Sequence, residues 1–349
     1  MKLKRFTALL AAGAFAAMTL LSGCTQAKEE SASSAASAEK TAEKSEDKTA
    51  ESTDGKVYKI GLCQLVQHEA LDAATLGFED KLRELLGSEN VEFDLQNAAG
   101  DSATCATIAN QFVSDGDDLI FANATPALQA AAAATSDIPI VGTSITDYAT
   151  ALDIDNWNGT TGRNITGTCD LAPLDKQAEM FKELLPDAKK IGLLYCSSEA
   201  NSKYQIDNIK EELTKLGFET TEYTFADSND IAAVVQTACD ESDALYIPTD
   251  NTAASNAELI ANVAMPAKTP IIAGEEGICN GCGIATLSIS YYSIGEEAAQ
   301  MAYEILKNGE KPEEMKVRYS EVPVKKYIKS RVEELGIKVP DDYEETDVQ

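Results

Sequence analysis

Strand-like and helix-like segments alternate twice along this chain, and that double alternation limits the fold more than any other feature. In the first series, residues 58–65, 91–98, 118–124 and 138–145 read as strands, and 68–86, 102–114 and 125–135 as helices. An irregular connector, 147–171, follows. The second series has helices at 174–185, 201–216, 231–239 and 253–263, with strands at 190–196, 219–225, 244–248 and 270–273. Apolar strands separated by helices imply parallel sheets covered on both faces. The expected fold class is therefore α/β, with two doubly wound lobes.

The end of the chain does not fit two lobes in simple succession. A strand at 283–290, an amphipathic helix at 294–306 and a strand at 317–324 are left over. These surplus elements imply that the chain crosses back between lobes near 164–168, 286–290 and 318–322. The resulting division is 56–166 with 287–317 as the N-terminal lobe, 167–286 with 318–342 as the C-terminal lobe, and 343–349 as an acidic tail.

Before the alternation begins, the composition changes abruptly. Lys2, Lys4 and Arg5 precede an apolar run at 6–21 that is too short to span a bilayer, and Leu21, Ser22, Gly23 and Cys24 close it. That is the form of a lipoprotein signal peptide over residues 1–23, cleaved before a lipid-modified Cys24. Residues 25–55 are almost wholly Ala, Ser, Thr, Glu, Lys and Asp, with no aromatic or branched aliphatic residue, so they read as a disordered tether. The expected location is extracytoplasmic, anchored to the cell membrane.

The formal charge of −29 argues against nucleic acid as a partner. Seven cysteines follow Cys24: Cys63, Cys105, Cys169, Cys196, Cys239, Cys279 and Cys282. An odd number, set mostly in apolar runs, is not a disulfide framework. Cys279, Asn280, Gly281 and Cys282 form a CxxC with no second pair or nearby His to complete a zinc set, and Asn-Gly favours a local turn there.

Ligands of open α/β sheets bind beyond the carboxyl ends of the strands. Those ends carry Gln64 and His68, Asn123 and Thr125, Thr143 and Ser144, Ser198 and Asn201, Asp250, and Glu275. Hydroxyls and amides dominate, a set that holds a small polar molecule. Asn123, Thr125, Thr143 and Ser144 lie where free N–H groups of a helix start would attract a carboxylate. Asp250 would neutralise an ammonium, although Thr125 and Asp250 equally suit helix capping. His68 is the only histidine, which removes most enzyme templates, and the sequence offers no convincing Ser-His-Asp triad, His-rich metal site or Gly-rich phosphate loop. Neither a cofactor nor a metal is expected.

Several stretches resemble the ABC-transporter substrate-binding protein family that includes tryptophan- and tyrosine-type binding lipoproteins. They are residues 60–68, 97–101, 122–127 and 142–147, with 164–168 and 295–302 similar to the family's crossover segment and late helix. The resemblance spans about 57–340 and implies a type I periplasmic-binding-protein fold, with two lobes joined by three crossovers around a ligand cleft. It also implies delivery to a membrane permease and its ATPase. The expected function is a monomeric, lipid-anchored solute-binding component of an ABC importer. Its expected ligand is an amino acid, with aromatic ones such as tryptophan or tyrosine as candidates. The alternatives are an extracytoplasmic enzyme using His68 with Glu275 in the same cleft, and a ligand sensor for a membrane kinase.

Overall fold

A computed structural model describes residues 55–319 and 323–346. The signal segment, Cys24, nearly all of the tether, the middle of the third crossover and the last three residues lie outside the described residues.

The first lobe runs β1 (Tyr58–Gln64), α1 (Glu69–Leu86), β2 (Val91–Asn97), α2 (Ser102–Asp115), β3 (Leu119–Asn123), α3 (Thr125–Ala134), β4 (Ile140–Ile145), α4 (Tyr148–Ala151) and β5 (Ile165–Cys169). The second runs α5 (Leu174–Leu184), β6 (Lys190–Cys196), α6 (Ala200–Lys215), β7 (Glu219–Phe225), α7 (Ile231–Glu241), β8 (Ala244–Ile247), α8 (Asn251–Ser255), α9 (Ala257–Ala267), β9 (Ile271–Ala273), α10 (Glu276–Cys282) and β10 (Ala285–Ser288). The chain then returns as α11 (Tyr291–Asn308) and β11 (Arg318–Tyr319), and crosses again as β12 (Val324–Ile328), α12 (Lys329–Leu335) and β13 (Glu344–Thr346).

The two sheets repeat one topology. The first is ordered β2-β1-β3-β4-β5-β11 and the second β7-β6-β8-β9-β10-β12-β13. Every pair is parallel except β10 with β12. In both sheets the order reverses beside the lobe's first strand, between β1 and β3 and between β6 and β8, and such a switch point opens a crevice at the strand ends. Both faces of each sheet are covered. Phe112, Ile120 and Leu128 belong to one face of the first sheet. Phe78, Phe121 and Ala298 belong to the other. The rings of Phe78 and Phe121 stack with centroids 3.9 Å apart.

The structure corrects several expectations. The connector 147–171 contains α4 and a complete strand, β5, whose five residues are all buried between β4 and β11. Its composition, Ile-Thr-Gly-Thr-Cys, hides it. Gly167 sits at φ +150°, and a Cβ there would lie 2.0 Å from the Gly142 oxygen, so glycine lets β5 and β4 approach. The first crossover consequently follows Cys169 rather than falling within 164–168. The single strand expected at 317–324 is divided between the sheets as β11 and β12. The expected acidic tail contributes β13 to the second sheet.

The CxxC is a further correction. Cys279 and Cys282 lie in α10, not in a turn, because Glu275 caps that helix by accepting from the Gly277 and Ile278 amides. Both thiols are free and buried, as are the other five described cysteines.

Candidate ligand-binding cleft

The carboxyl ends of the two sheets face each other across a closed cleft. The His68 Nε2 lies 3.3 Å from Asn251 Oδ1 on the opposite lobe. Beside it, the Asn280 amide donates to both Glu69 carboxylate oxygens at 2.9 and 3.1 Å. On the far side α4 packs against α6. A cavity of about 270 Å³ lies between the lobes, with Leu65, Val66 and Pro126 on one wall and Glu199, Asn251 and Thr252 on the other.

The first lobe's strand ends are strained. Ala99, Ala124 and Ser144 have positive φ, at 52°, 88° and 56°. For residues with a Cβ such backbone costs about 1–2 kcal/mol each, and it concentrates where a chain grips a ligand. The Ser144 strain accompanies a register shift between β4 and β5.

The expected site residues divide by what their polar atoms touch. Gln64 is saturated: its amide donates to Val66 O and Asp72 Oδ1, and its oxygen accepts from Thr75. The Thr143 hydroxyl pairs with that of Thr168 at 2.9 Å, inside the lobe. Asn123 donates to Leu71 O and Thr75 Oγ1, which leaves its Oδ1 alone. Ser198 is exposed and touches Cys196 Sγ and Ala226 O. Asn201 donates to Glu199 and Thr249 O, and its Oδ1 is also alone. Thr125 is buried at the start of α3, a helix with no side-chain cap. Pro126 removes one of the first-turn N–H groups there.

Among the described residues, His68 Nδ1, Asn123 Oδ1, Ser144 Oγ and Asn201 Oδ1 are buried polar atoms without a partner. Such atoms are rare in folded proteins because each loses its hydration for nothing. Asn123 and Ser144 belong to the ends of β3 and β4, His68 immediately precedes α1, and Asn201 lies in the first turn of α6; Asp117 Oδ2, Asn280 Oδ1 and Thr286 Oγ1 are likewise without a partner. Burial holds the His68 imidazole below its ordinary pKa, so it is neutral at pH 7.

Four carboxylates are buried around the cleft, and none forms an ion pair with Lys or Arg among the described residues. Asp250 caps α8 through Ala253 N at 2.8 Å and accepts from Cys196 N at 2.7 Å. Burial, with Glu199 adding to it, pushes its pKa up to about 7. Glu275 caps α10, and burial likewise pushes it to about 7. Glu199 accepts from the backbone and side chains of both Asn251 and Thr252. Asp170, one residue past β5, accepts only from the hydroxyls of Thr146 at 3.1 Å and Tyr291 at 2.9 Å among side-chain donors. Glu199, Asp170, Asn251 and the Glu69–Asn280 pair were absent from the sequence-derived site. His68 and Glu275, the alternative enzymatic pair, bond to different partners.

Aromatic rings gather at the α4 corner. Tyr148 and Trp157 stack with centroids 6.4 Å apart. Tyr204, from α6 of the second lobe, lies within electrostatic reach of Asp147, Cys169 and Tyr319 in the first.

Residues 59–346 match the family described as ABC transporter substrate binding protein. The chain is 37% identical over 308 residues to the tyrosine-binding protein of Clostridioides difficile strain R20291, covering 87% of this chain and 85% of that one. A Streptococcus pneumonia ABC domain solved in complex with L-Trp is 33% identical, with a TM-score of 0.78 over 82% of this chain and 97% of its own. A ligand-free, open substrate-binding protein from Clostridium difficile is 37% identical over 84% of this chain and 100% of its own, yet has a TM-score of only 0.65. Similarity of shape to that open structure is lower at higher identity, and in this chain the lobes meet at the contacts described above. The chain has the type I periplasmic-binding-protein fold and belongs to the ABC transporter substrate-binding protein family, whose members bind solutes rather than transform them.

Proposed function

We propose that this protein is the lipid-anchored, extracytoplasmic receptor of an ABC importer, and that it closes its lobes around an aromatic amino acid for delivery to a permease and its ATPase. The observation that carries this reading is a cavity between two lobes that touch at His68–Asn251 and Glu69–Asn280, with an aromatic corner on the α4 side. The uncapped start of α3, with the Thr125 and Ser144 hydroxyls, suits a carboxylate. Tyr148, Trp157 and Tyr204 suit a ring. The proteins in the comparisons described as binding tyrosine or in complex with L-Trp support the ligand class. Cys24 would carry the anchor, and the acidic, aromatic-free tether would let the lobes reach the permease.

A thermal-shift screen of the amino acids tests the ligand. At a hundredfold excess over its dissociation constant, the true ligand adds about 2.7 kcal/mol, which raises Tm by about 5 °C. L-tyrosine or L-tryptophan should produce that shift, and tyramine or tryptamine, which lack the carboxylate, should not. A shift with an unrelated solute and none with the aromatic amino acids would overturn the reading.

A further inference from the structure

We propose that Asp170, rather than Asp250, receives the ammonium group of the bound amino acid. The proposal rests on the amino-acid reading of the cleft and names the residue that would make the site select an amino acid over its des-amino analogue.

The four buried carboxylates differ in what already balances their charge. Asp250, Glu275 and Glu199 each accept from two backbone amides. All but the one from Cys196 N, which ends β6, come from a helix start, where the free N–H groups favour a negative charge. Asp170 lacks such a helix start: its donors are two neutral hydroxyls and its own backbone amide, which also donates to Ile145 O. A carboxylate has about four lone-pair positions, so these contacts leave room for another donor. Burial pushes its pKa up to about 6, less than the value of about 7 for Asp250 and Glu275, so what sets Asp170 apart is its donors and not the size of the shift. A buried carboxylate in that condition is stabilised by a cation that arrives with the ligand.

Its place in the fold agrees with this role. Asp170 sits on the first crossover, immediately beyond β5, and so at the carboxyl end of a strand in the first sheet. Its amide donates to Ile145 O, next to Ser144 with its unpartnered hydroxyl. Its neighbour Cys169 lies in the corner that Tyr148, Tyr204 and Tyr319 share. Tyr291, its second donor, opens α11 just after the second crossover and also reaches the Thr249 side chain of the other lobe. An ammonium on Asp170 would therefore be held at the hinge, between a candidate carboxylate subsite and the aromatic corner.

Calorimetric titration of L-tyrosine and L-tryptophan against 3-(4-hydroxyphenyl)propionate and indole-3-propionate tests this. The protein should prefer the amino acids, and Asp170→Asn should lose about 100-fold in their affinity, as for a broken buried charge pair. The des-amino acids should bind the variant as well as they bind the original protein, which also shows that the variant is folded. Tyr291→Phe, which keeps the charge, should retain the preference. An unaltered preference in Asp170→Asn would overturn the assignment while leaving the amino-acid reading intact. Absence of binding by the unsubstituted protein would instead overturn that reading, and the assignment with it.

Discussion

Gly295→Val is expected to destabilise the first lobe by about 3 kcal/mol, near the upper end for overpacked cores. The cause is the contact that brings the chain back from the second lobe. A Cβ on Gly295 would lie 2.1 Å from Ala74 O and 3.0 Å from Phe78 N, both backbone atoms of α1. The contact is reciprocal, since a Cβ on Gly77 would lie 2.1 Å from Tyr292 O in α11. Neither helix backbone can yield as a side-chain tip can, so α11 must lift off α1. Its buried face, Ile294, Ala298, Met301 and Ala302, would lose its packing with it. Urea denaturation followed by circular dichroism checks this, and an unchanged midpoint would contradict it.

Asp250→Ala is expected to cost about 2–4 kcal/mol, the sum of a lost helix cap and an orphaned buried amide. The cap is on α8 and the amide is that of Cys196 at the end of β6, so the loss falls on the second lobe. The same residue gives stability a pH dependence. Burial raises the pKa of Asp250 and Glu275 to about 7 and that of Asp170 to about 6. In the unfolded chain these groups titrate near 4. Between those values the folded protein holds more protons than the unfolded chain, so stability is full below about pH 4 and falls as pH rises towards 7. The ligand-free protein should therefore melt higher at pH 5 than at pH 8, and Asp250→Ala should flatten that trend. A melting temperature that rises with pH in this range would contradict it.

The alternation of strands and helices was legible because buried parallel strands read as apolar runs, as in 119–123 and 191–196. β5 was not, because two threonines and a glycine satisfy its burial through hydroxyl bonds and close approach rather than through apolar bulk. That omission had a consequence for the site. Applied to β5, the strand-end rule that selected Asn123, Ser144 and Asn201 would have selected Asp170 as well. The rule selects positions, not roles, so it could not distinguish Asp250 as a possible ligand partner from Asp250 as a cap. That distinction depends on where Cys196 N and Ala253 N lie, 54 residues and 3 residues away in sequence. The interlobe pairs His68–Asn251 and Glu69–Asn280, separated by 183 and 211 residues, have no local signature at all.

The central claim is that the two lobes close on an aromatic amino acid, and small-angle X-ray scattering of the purified protein with and without ligand tests it most directly. The radius of gyration should fall on saturation with L-tyrosine or L-tryptophan, and scattering from the liganded protein should match the closed arrangement bridged by His68–Asn251 and Glu69–Asn280. Identical scattering at all concentrations of both amino acids would contradict it.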